Sequence, residues 1–270
     1  MQQKTKDIQN HFEGFLKTSC LWAENAVYGL NQFEIKQQSL PINKEIEENL
    51  RLGKYIERFV SYQLSQDEHI EIISENIQIQ KEKITLGELD CILLKEAKPI
   101  HLEIIYKFYL YDTTVGKDEI SHFIGPNRKD SLASKLQKLK EKQLPLLYSK
   151  ECKSYLKTLY LSADTMAQQV YFKAQLFVPL SNKYLRLQQL NSDCIVGFYI
   201  NQKALNQFKD CKFYIPNKKD WLVVPHSNVT WLNTTDFKEK SDAYLDRNFS
   251  PMCWLKNQNG TLEKFFLVWW

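Results

Sequence analysis

The stretch HLEIIYKFYLYD, residues 101 to 112, limits what this chain can fold into more than any other part of it. Read by twos, Leu102, Ile104, Tyr106, Phe108 and Leu110 line one face of a β-strand, and His101, Glu103, Ile105, Lys107, Tyr109 and Tyr111 line the other. The first face is plain core. The second carries a carboxylate and an amine inside an otherwise apolar run. Ionised groups are costly to bury unless they are paired or hold an ion, so the presence of Glu103 and Lys107 calls for a reason.

The segments around this strand set its context. Residues 1 to 35 read as helical, with Phe12, Phe15, Leu16, Leu21 and Trp22 at three-to-four spacing, and KQQSLPIN then breaks the pattern. A second amphipathic helix follows, opened by Asn43 as N-cap, with Leu50, Leu52, Tyr55, Ile56, Phe59, Val60 and Leu64 as its apolar stripe and Glu57 beside that stripe. The runs HIEIISENIQIQ, KITLGELDCILLK and PIHLEIIYKFYLYD are three strands, and EAKP between the last two predicts a tight antiparallel hairpin. SLASKLQKLKEKQ then predicts a helix that ends at Pro145, and YLKTLYLSAD and VYFKAQLFVPL predict two further strands. That helix is the kind of crossover a mixed sheet requires. Beyond Asn182 the apolar runs DCIVGFYI, DWLVVP and EKFFLVWW predict a β-rich C-terminal part. No Gly/Pro/Ser-rich linker interrupts residues 1–270, which predicts one continuous unit with a core over about 45–180 and a C-terminal elaboration over 181–270.

Composition removes several alternatives. With 270 residues, 43% hydrophobic and 25% charged, the chain is neither disordered nor fibrous and can bury a sizeable core without metals or disulfides. There is no apolar leader and no run of roughly 18 apolar residues, so a cytoplasmic protein outside the membrane is expected. Cys20, Cys91, Cys152, Cys194, Cys211 and Cys253 form no CxxC pair, which argues against a zinc ribbon, and His11, His69 and His226 have no metal-ligand spacing.

Asp90 sits in the strand GELDCILL and Glu103 in the next one, so a hairpin sets the two carboxylates side by side. A hard divalent cation needs such a pair, since Mg²⁺ is usually held by one or two carboxylates plus waters and phosphate oxygens. A nearby ammonium can stabilise charge developing on a phosphodiester. The bland alternative stays open. Glu103 and Lys107 can be polar positions on the solvent face of an edge strand, and Asp90 a turn or bulge residue.

The order of these elements, with Gly87, Asp90, Glu103 and Lys107 on consecutive strands and Glu57 on the preceding helix, resembles the core of the PD-(D/E)XK, restriction-endonuclease-like nuclease superfamily. More narrowly, LGKYIERFVSYQL, LGELDCILL, HLEIIYKFYLYD and GPNRKDSLASKLQKLKEKQLPLL look like the blocks of the domain-of-unknown-function family DUF1853. The resemblance is strongest over about residues 45 to 150, and KKDWLVVP extends it. It implies an α/β fold with a restriction-endonuclease-like core, a mixed central sheet flanked by helices, plus N-terminal helices and a β-rich C-terminal extension. It further implies Asp90, Glu103 and Glu57 as ligands of Mg²⁺, or of Mn²⁺ in its place, with Asp90, Glu103 and Lys107 catalytic. One feature departs from the superfamily pattern. Acid and lysine are normally separated by one residue, but here Ile104, Ile105 and Tyr106 intervene, stretching the Cα separation to roughly 13 Å from about 7 Å on an ideal strand.

Net charge is only +4, but it is unevenly spread. Residues 44 to 82 hold nine acids and five bases, net −4, whereas 127 to 157 hold nine bases and three acids, net +6. Arg128, Lys129, Lys135 and Lys138 are candidate phosphate contacts for DNA or RNA, and GPNRKD can equally serve only to start a helix. The resulting expectation is a Mg²⁺-dependent phosphodiesterase acting on nucleic acid. The rival is a non-catalytic nucleic-acid or protein-binding module that keeps the nuclease fold.

Overall fold

The computed structural model describes residues 2–23, 25–35, 41–47 and 49–270, and the KQQSL part of the predicted break lies outside them. In chain order the elements are α1 (Gln2–Lys17), α2 (Leu52–Ser65), β1 (Ile70–Lys81), β2 (Ile84–Lys95), β3 (Lys98–Tyr111), β4 (Phe123–Ile124), α3 (Leu132–Lys138), α4 (Lys150–Thr158), β5 (Ala167–Pro179), β6 (Ile195–Asn201), β7 (Lys212–Tyr214), α5 (Thr234–Leu245), β8 (Met252–Lys256) and β9 (Leu262–Val268). The protein is mixed α/β, with helices packed on β-sheet. Among the described residues no helix is long and apolar enough to cross a membrane. Two compact units divide the chain: Cys20–Tyr106 with Ser134–Lys173, and Met1–Ser19 with Lys107–Ala133 and Ala174–Trp270.

In the unit containing Cys20–Tyr106 the strand order is β1-β2-β3-β5. The predicted hairpin is present, with β2 and β3 antiparallel from Lys95 opposite Lys98 to Cys91 opposite Leu102. Its turn residues, Glu96 and Ala97, both adopt left-handed backbone, the conformation that lets a two-residue connection follow the strand twist. β3 lies between β2 and β5, and His101, Leu102 and Glu103 are all fully buried. The edge-strand alternative therefore does not describe Glu103. Of the predicted α2 stripe Tyr55, Ile56, Phe59, Val60 and Leu64 are buried, whereas Leu52 is half-buried and Leu50 precedes the helix. Ile77, Leu89 and Ile92 of the strands pack with Leu147, Cys152 and Leu156 into one apolar cluster.

Three expectations differ from the structure here. Asn43 does not open α2; the helix begins at Leu52, with Arg51 as an N-cap that makes no side-chain capping bond. The run YLKTLYLSAD is not a strand. Its first residues finish α4, whose N-cap Ser149 accepts from Cys152 N and whose buried face, Cys152 and Leu156, has helical spacing. Finally, Leu21 and Phe33 lie in extended chain that bonds β5 through Phe172 O and Val170 O, so their burial comes from main-chain pairing rather than from a helix.

In the other unit the order is β5-β6-β9-β8-β7, with β6 parallel to β5 and β9, and β8 antiparallel to β9 and β7. The β-rich C-terminal part is thus present. DWLVVP is a turn rather than a strand, with Leu222 N bonded to Lys219 O and Val223 N to Asp220 O. α5 packs on β7 through Phe237 and Phe213, whose rings stack at 4.3 Å. α1 buries Phe12, Phe15 and Leu16, and one turn earlier carries His11, which meets Asp220.

Candidate functional site

Asp90 on β2 and Glu103 on β3 lie one step beyond the last ladder pair, Cys91 with Leu102. Directly opposed residues of an antiparallel pair share a face, so the strand geometry aims both carboxylates the same way. Asp90 Oδ2 accepts the backbone N–H of Ile104 at 2.9 Å, taking a donor at the end of the ladder. Asp90 Oδ1 accepts no hydrogen bond among the described residues. Burial, reinforced by the charge of Glu103, pushes the Asp90 carboxyl up to about 7; the Ile104 bond and Lys54 act against that rise.

Glu103 has no solvent exposure and is held from both sides. Gln143 Nε2 donates to its Oε2 at 2.6 Å, and His101 Nε2 lies 3.2 Å from its Oε1. The orientations of both amides follow from their other partners. Gln143 Oε1 accepts from Lys135 Nζ at 2.7 Å, so its nitrogen faces Glu103. Gln168 Nε2 donates to Leu144 O at 2.7 Å and lies 3.0 Å from His101 Nδ1. That nitrogen can only donate, so His101 Nδ1 accepts and His101 Nε2–H donates to Glu103. The backbone reason for Gln143's position is local. α3 does not run on to Pro145 as a regular helix but widens into a π-helical turn over Leu139–Gln143, followed by a 3-10 turn over Leu144–Tyr148. Such turns alter the direction of the side chains they carry.

A second cluster joins from α2. Lys54 Nζ donates to Glu57 Oε2 at 2.8 Å, to Asn76 Oδ1 at 2.8 Å and to Glu88. Partial burial works against this ammonium, but Glu57 and Glu88 outweigh it and hold its pKa above the ordinary lysine range. Burial pushes the Glu57 carboxyl up while Lys54 pulls it down. Asn76 reaches Lys54 from a left-handed backbone position in β1, which an asparagine tolerates better than most residues.

The predicted residues thus separate. Glu57, Asp90 and Glu103 belong to one unit and act on one another electrostatically, yet Glu57 is bonded to Lys54, and no group of three or more His, Cys, Asp or Glu among the described residues is arranged to hold a metal ion. The three-carboxylate set expected from the resemblance is not assembled as a cage. Two oxygen donors remain suited to a hard cation, Asp90 Oδ1 and the spare lone pairs of Glu103. Lys107 belongs to the other unit, where its Nζ pairs with Asp130 Oδ2 at 2.8 Å. Arg128 pairs with Asp112 at 3.0 Å and lies 4.3 Å over the Trp270 ring, Lys129 and Lys138 are exposed, and Lys135 serves Gln143.

Sequence reading missed Lys54, Asn76, Glu88 and Gln143, and set His101 aside. A signal existed for two of them: Lys54 and Glu57 stand three apart on one helix face, and Glu88 shares a strand face with Asp90. For Gln143 there was none, because its position depends on the π-helical turn.

A family model described as Domain of unknown function (DUF1853) matches residues 7–268. The chain belongs to DUF1853. This match spans both units, including the C-terminal strands where the sequence resemblance was weaker. No curated protein and no solved structure matches this DUF1853 chain.

Proposed function

We propose that this DUF1853 protein is a metal-dependent phosphodiesterase of the PD-(D/E)XK type acting on nucleic acid, with its reaction centre at Asp90 and Glu103. The observation that carries this reading is the proximity of two carboxylates, one fully buried and the other pushed up to about 7 by burial and by its neighbour's charge. Two acids placed so as to repel each other are strained unless a proton or a cation is shared between them. Mg²⁺ or Mn²⁺ would be held by Asp90 and Glu103, and when bound would polarise a phosphodiester and lower the pKa of a water.

The chain's own groups have definable tasks. Gln143 and His101 orient Glu103 through its two oxygens and keep it from swinging away from Asp90. Lys54 acts on Asp90 through its charge, and its three N–H donors hold Glu57, Asn76 and Glu88, so its task in this reading is to set the charge of the acidic cluster beside the reacting phosphate. The exposed Lys138, in the same unit as Asp90 and Glu103, is suited to backbone phosphates, and binding through it is sensitive to salt. One observation favours the second reading, a binding module without catalysis: the Lys107 ammonium is taken up by Asp130.

Calorimetric titration with Mg²⁺ and Mn²⁺, run beside cleavage of labelled DNA and RNA, tests the proposal. Wild type should bind metal and cleave, and Asp90→Ala should lose both. Lys54→Met should cut cleavage by about 100-fold or more while metal still binds, and Lys107→Met should leave cleavage nearly unchanged. Metal-free, inactive wild type that still retains nucleic acid would establish the binding module instead.

A further inference from the structure

A cavity of about 300 Å³ lies wholly within the unit that contains α2, β1 and β2, and none of Glu57, Asp90 and Glu103 lines it. That volume stands at the lower end of the range for small-molecule sites. Its lining is mostly polar. Lys95 supplies one positive charge, Glu34 one negative charge, and Asn31 and Gln169 an amide each, while the short side chains of Ala23 and Ala26 leave one side open.

The frame that holds these groups is fixed by main-chain bonds. Gln32, also on the lining, is buried and bonded at both ends of its amide to one residue of β5: its Nε2 donates to Phe172 O at 2.8 Å and its Oε1 accepts the Phe172 N–H at 3.1 Å. On either side of Gln32, Val170 N–H donates to Asn31 O at 3.0 Å and Phe33 N–H to Val170 O at 2.8 Å. The segment that carries Asn31 and Glu34 is thereby laced to the strand that carries Gln169. Lys95 closes the frame from the end of β2, where it stands opposite Lys98 in the hairpin. Its Nζ donates to the main-chain O of Glu34 at 2.6 Å and lies 5.0 Å over the Phe33 ring. The Glu34 carboxylate is not its partner. Among the described residues that carboxylate makes no ion pair or hydrogen bond, and neither the Asn31 nor the Gln169 amide has a hydrogen-bond partner.

A ligand can reach all four groups, since Asn31 and Glu34 are exposed and Lys95 and Gln169 half-buried. The Lys95 ammonium spends one of its three N–H donors on the Glu34 carbonyl, which leaves two for a ligand. One wall therefore offers donors with a positive charge and another offers acceptors with a negative charge, and the two do not satisfy each other. A simple anion would meet Glu34, and a simple cation would meet Lys95. A molecule that carries a carboxylate and an ammonium together meets both walls with charge-assisted bonds. The two amides, each with donors and an acceptor, suit a hydrogen-bonding group on the same molecule. We propose that this cavity binds a free α-amino acid with a polar, uncharged side chain, its ammonium on Glu34, its carboxylate on Lys95 and its side chain on Asn31 and Gln169. This site is independent of the carboxylate pair on β2 and β3.

Titration of the full-length chain with serine, threonine, asparagine and glutamine, followed by calorimetry, is the test, with alanine and valine as apolar controls. At least one of the four should bind saturably at one per chain, and more tightly than either control. Its N-acetyl derivative, which lacks the ammonium, and its carboxamide, which lacks the carboxylate, should each bind at least about tenfold more weakly, the value of one charge-assisted bond. Glu34→Gln and Lys95→Met should weaken binding to the same degree. Should Lys95→Met fail to fold by circular dichroism, Glu34→Gln with Gln169→Ala decides the matter, because both side chains lack partners to lose. No saturable binding by any of the four up to millimolar concentration, equal binding of the blocked derivatives or of the apolar controls, or binding undiminished in the folded variants overturns the proposal. Asp90→Ala should bind the amino acid as wild type does, so failure of the phosphodiesterase reading and failure of this one are separately visible.

Discussion

Asp90 Oδ2 accepts the main-chain N–H of Ile104 at 2.9 Å, so a side chain rather than a neighbouring strand carbonyl takes that donor where the β2–β3 ladder stops. This one bond fixes Asp90 beside the strand segment that carries Glu103. It lowers the Asp90 pKa, whereas burial and Glu103 raise it by more, so the carboxyl ends up at about 7.

A pH dependence follows. The folded state binds the Asp90 proton more tightly than the unfolded chain, whose value is near 3.8. This contribution is complete below about 4 and is lost as pH rises through about 7. Across that window wild type should lose stability relative to Asp90→Asn by up to ~1.4 kcal/mol per pH unit. Urea unfolding of both proteins in metal-free buffer at several pH values checks it, and parallel stability curves would reject the shift.

Gln143→Leu removes the donor to Glu103 Oε2 and an acceptor of Lys135. Because Glu103 is fully buried, its oxygen cannot turn to water for a replacement. The variant should lose about 1–3 kcal/mol in denaturant unfolding. An unchanged midpoint would mean that Gln143 carries no such burden.

Lys264 presents the opposite case. It is buried, with its Nζ bonded to Gln175 Oε1 at 2.9 Å and Trp221 O at 2.7 Å, and burial lowers its pKa to about 7. The unfolded chain binds this proton more tightly, so stability should rise with pH between about 7 and 10.5. Lys264→Met keeps the apolar stem and should remove that rise. Thermal melts across the window test this, and a wild-type slope equal to that of the variant would contradict it.

Gly14→Ala sets two effects against each other. Alanine in a helix interior is favoured over glycine by about 1 kcal/mol. Here its Cβ would meet Leu222 O at 2.0 Å and Leu222 C at 2.7 Å, which backbone cannot relieve without moving. Overpacking of this kind costs about 1–3 kcal/mol or more, so the variant should melt below wild type. A raised melting temperature would show that α1 does not rest on Leu222.

Much of the local structure was legible in the sequence. The strand over residues 101–111, the EAKP turn and the α2 stripe from Tyr55 to Leu64 each depend on contacts between near neighbours and are present, but the two faces of the strand do not divide as the alternation predicts: Glu103, Ile105 and Tyr109 are buried, while Ile104 and Tyr106 are half-buried. The neighbouring placement of Asp90 and Glu103 was legible for the same reason, since a tight hairpin leaves little freedom of register. Where alternation and helical spacing coincide over a short run, as in YLKTLYLSAD, sequence pattern cannot choose, and the Ser149 cap together with burial of Cys152 and Leu156 made its first residues the end of a helix.

By itself, then, the sequence determined which segments form strands and amphipathic helices in the hairpin region and that two acids meet at the end of that hairpin. Only tertiary structure decided how each charge is satisfied. Lys107 turned to Asp130, Lys54 reached from α2 to Asn76 and Glu88, and Gln143 reached Glu103 from a π-helical turn forty residues away. The physical reason is range. Strand and helix periodicities arise from steric and hydrogen-bonding rules between residues close in sequence, whereas the partner of a buried charge is whichever group the packed fold brings within about 3 Å.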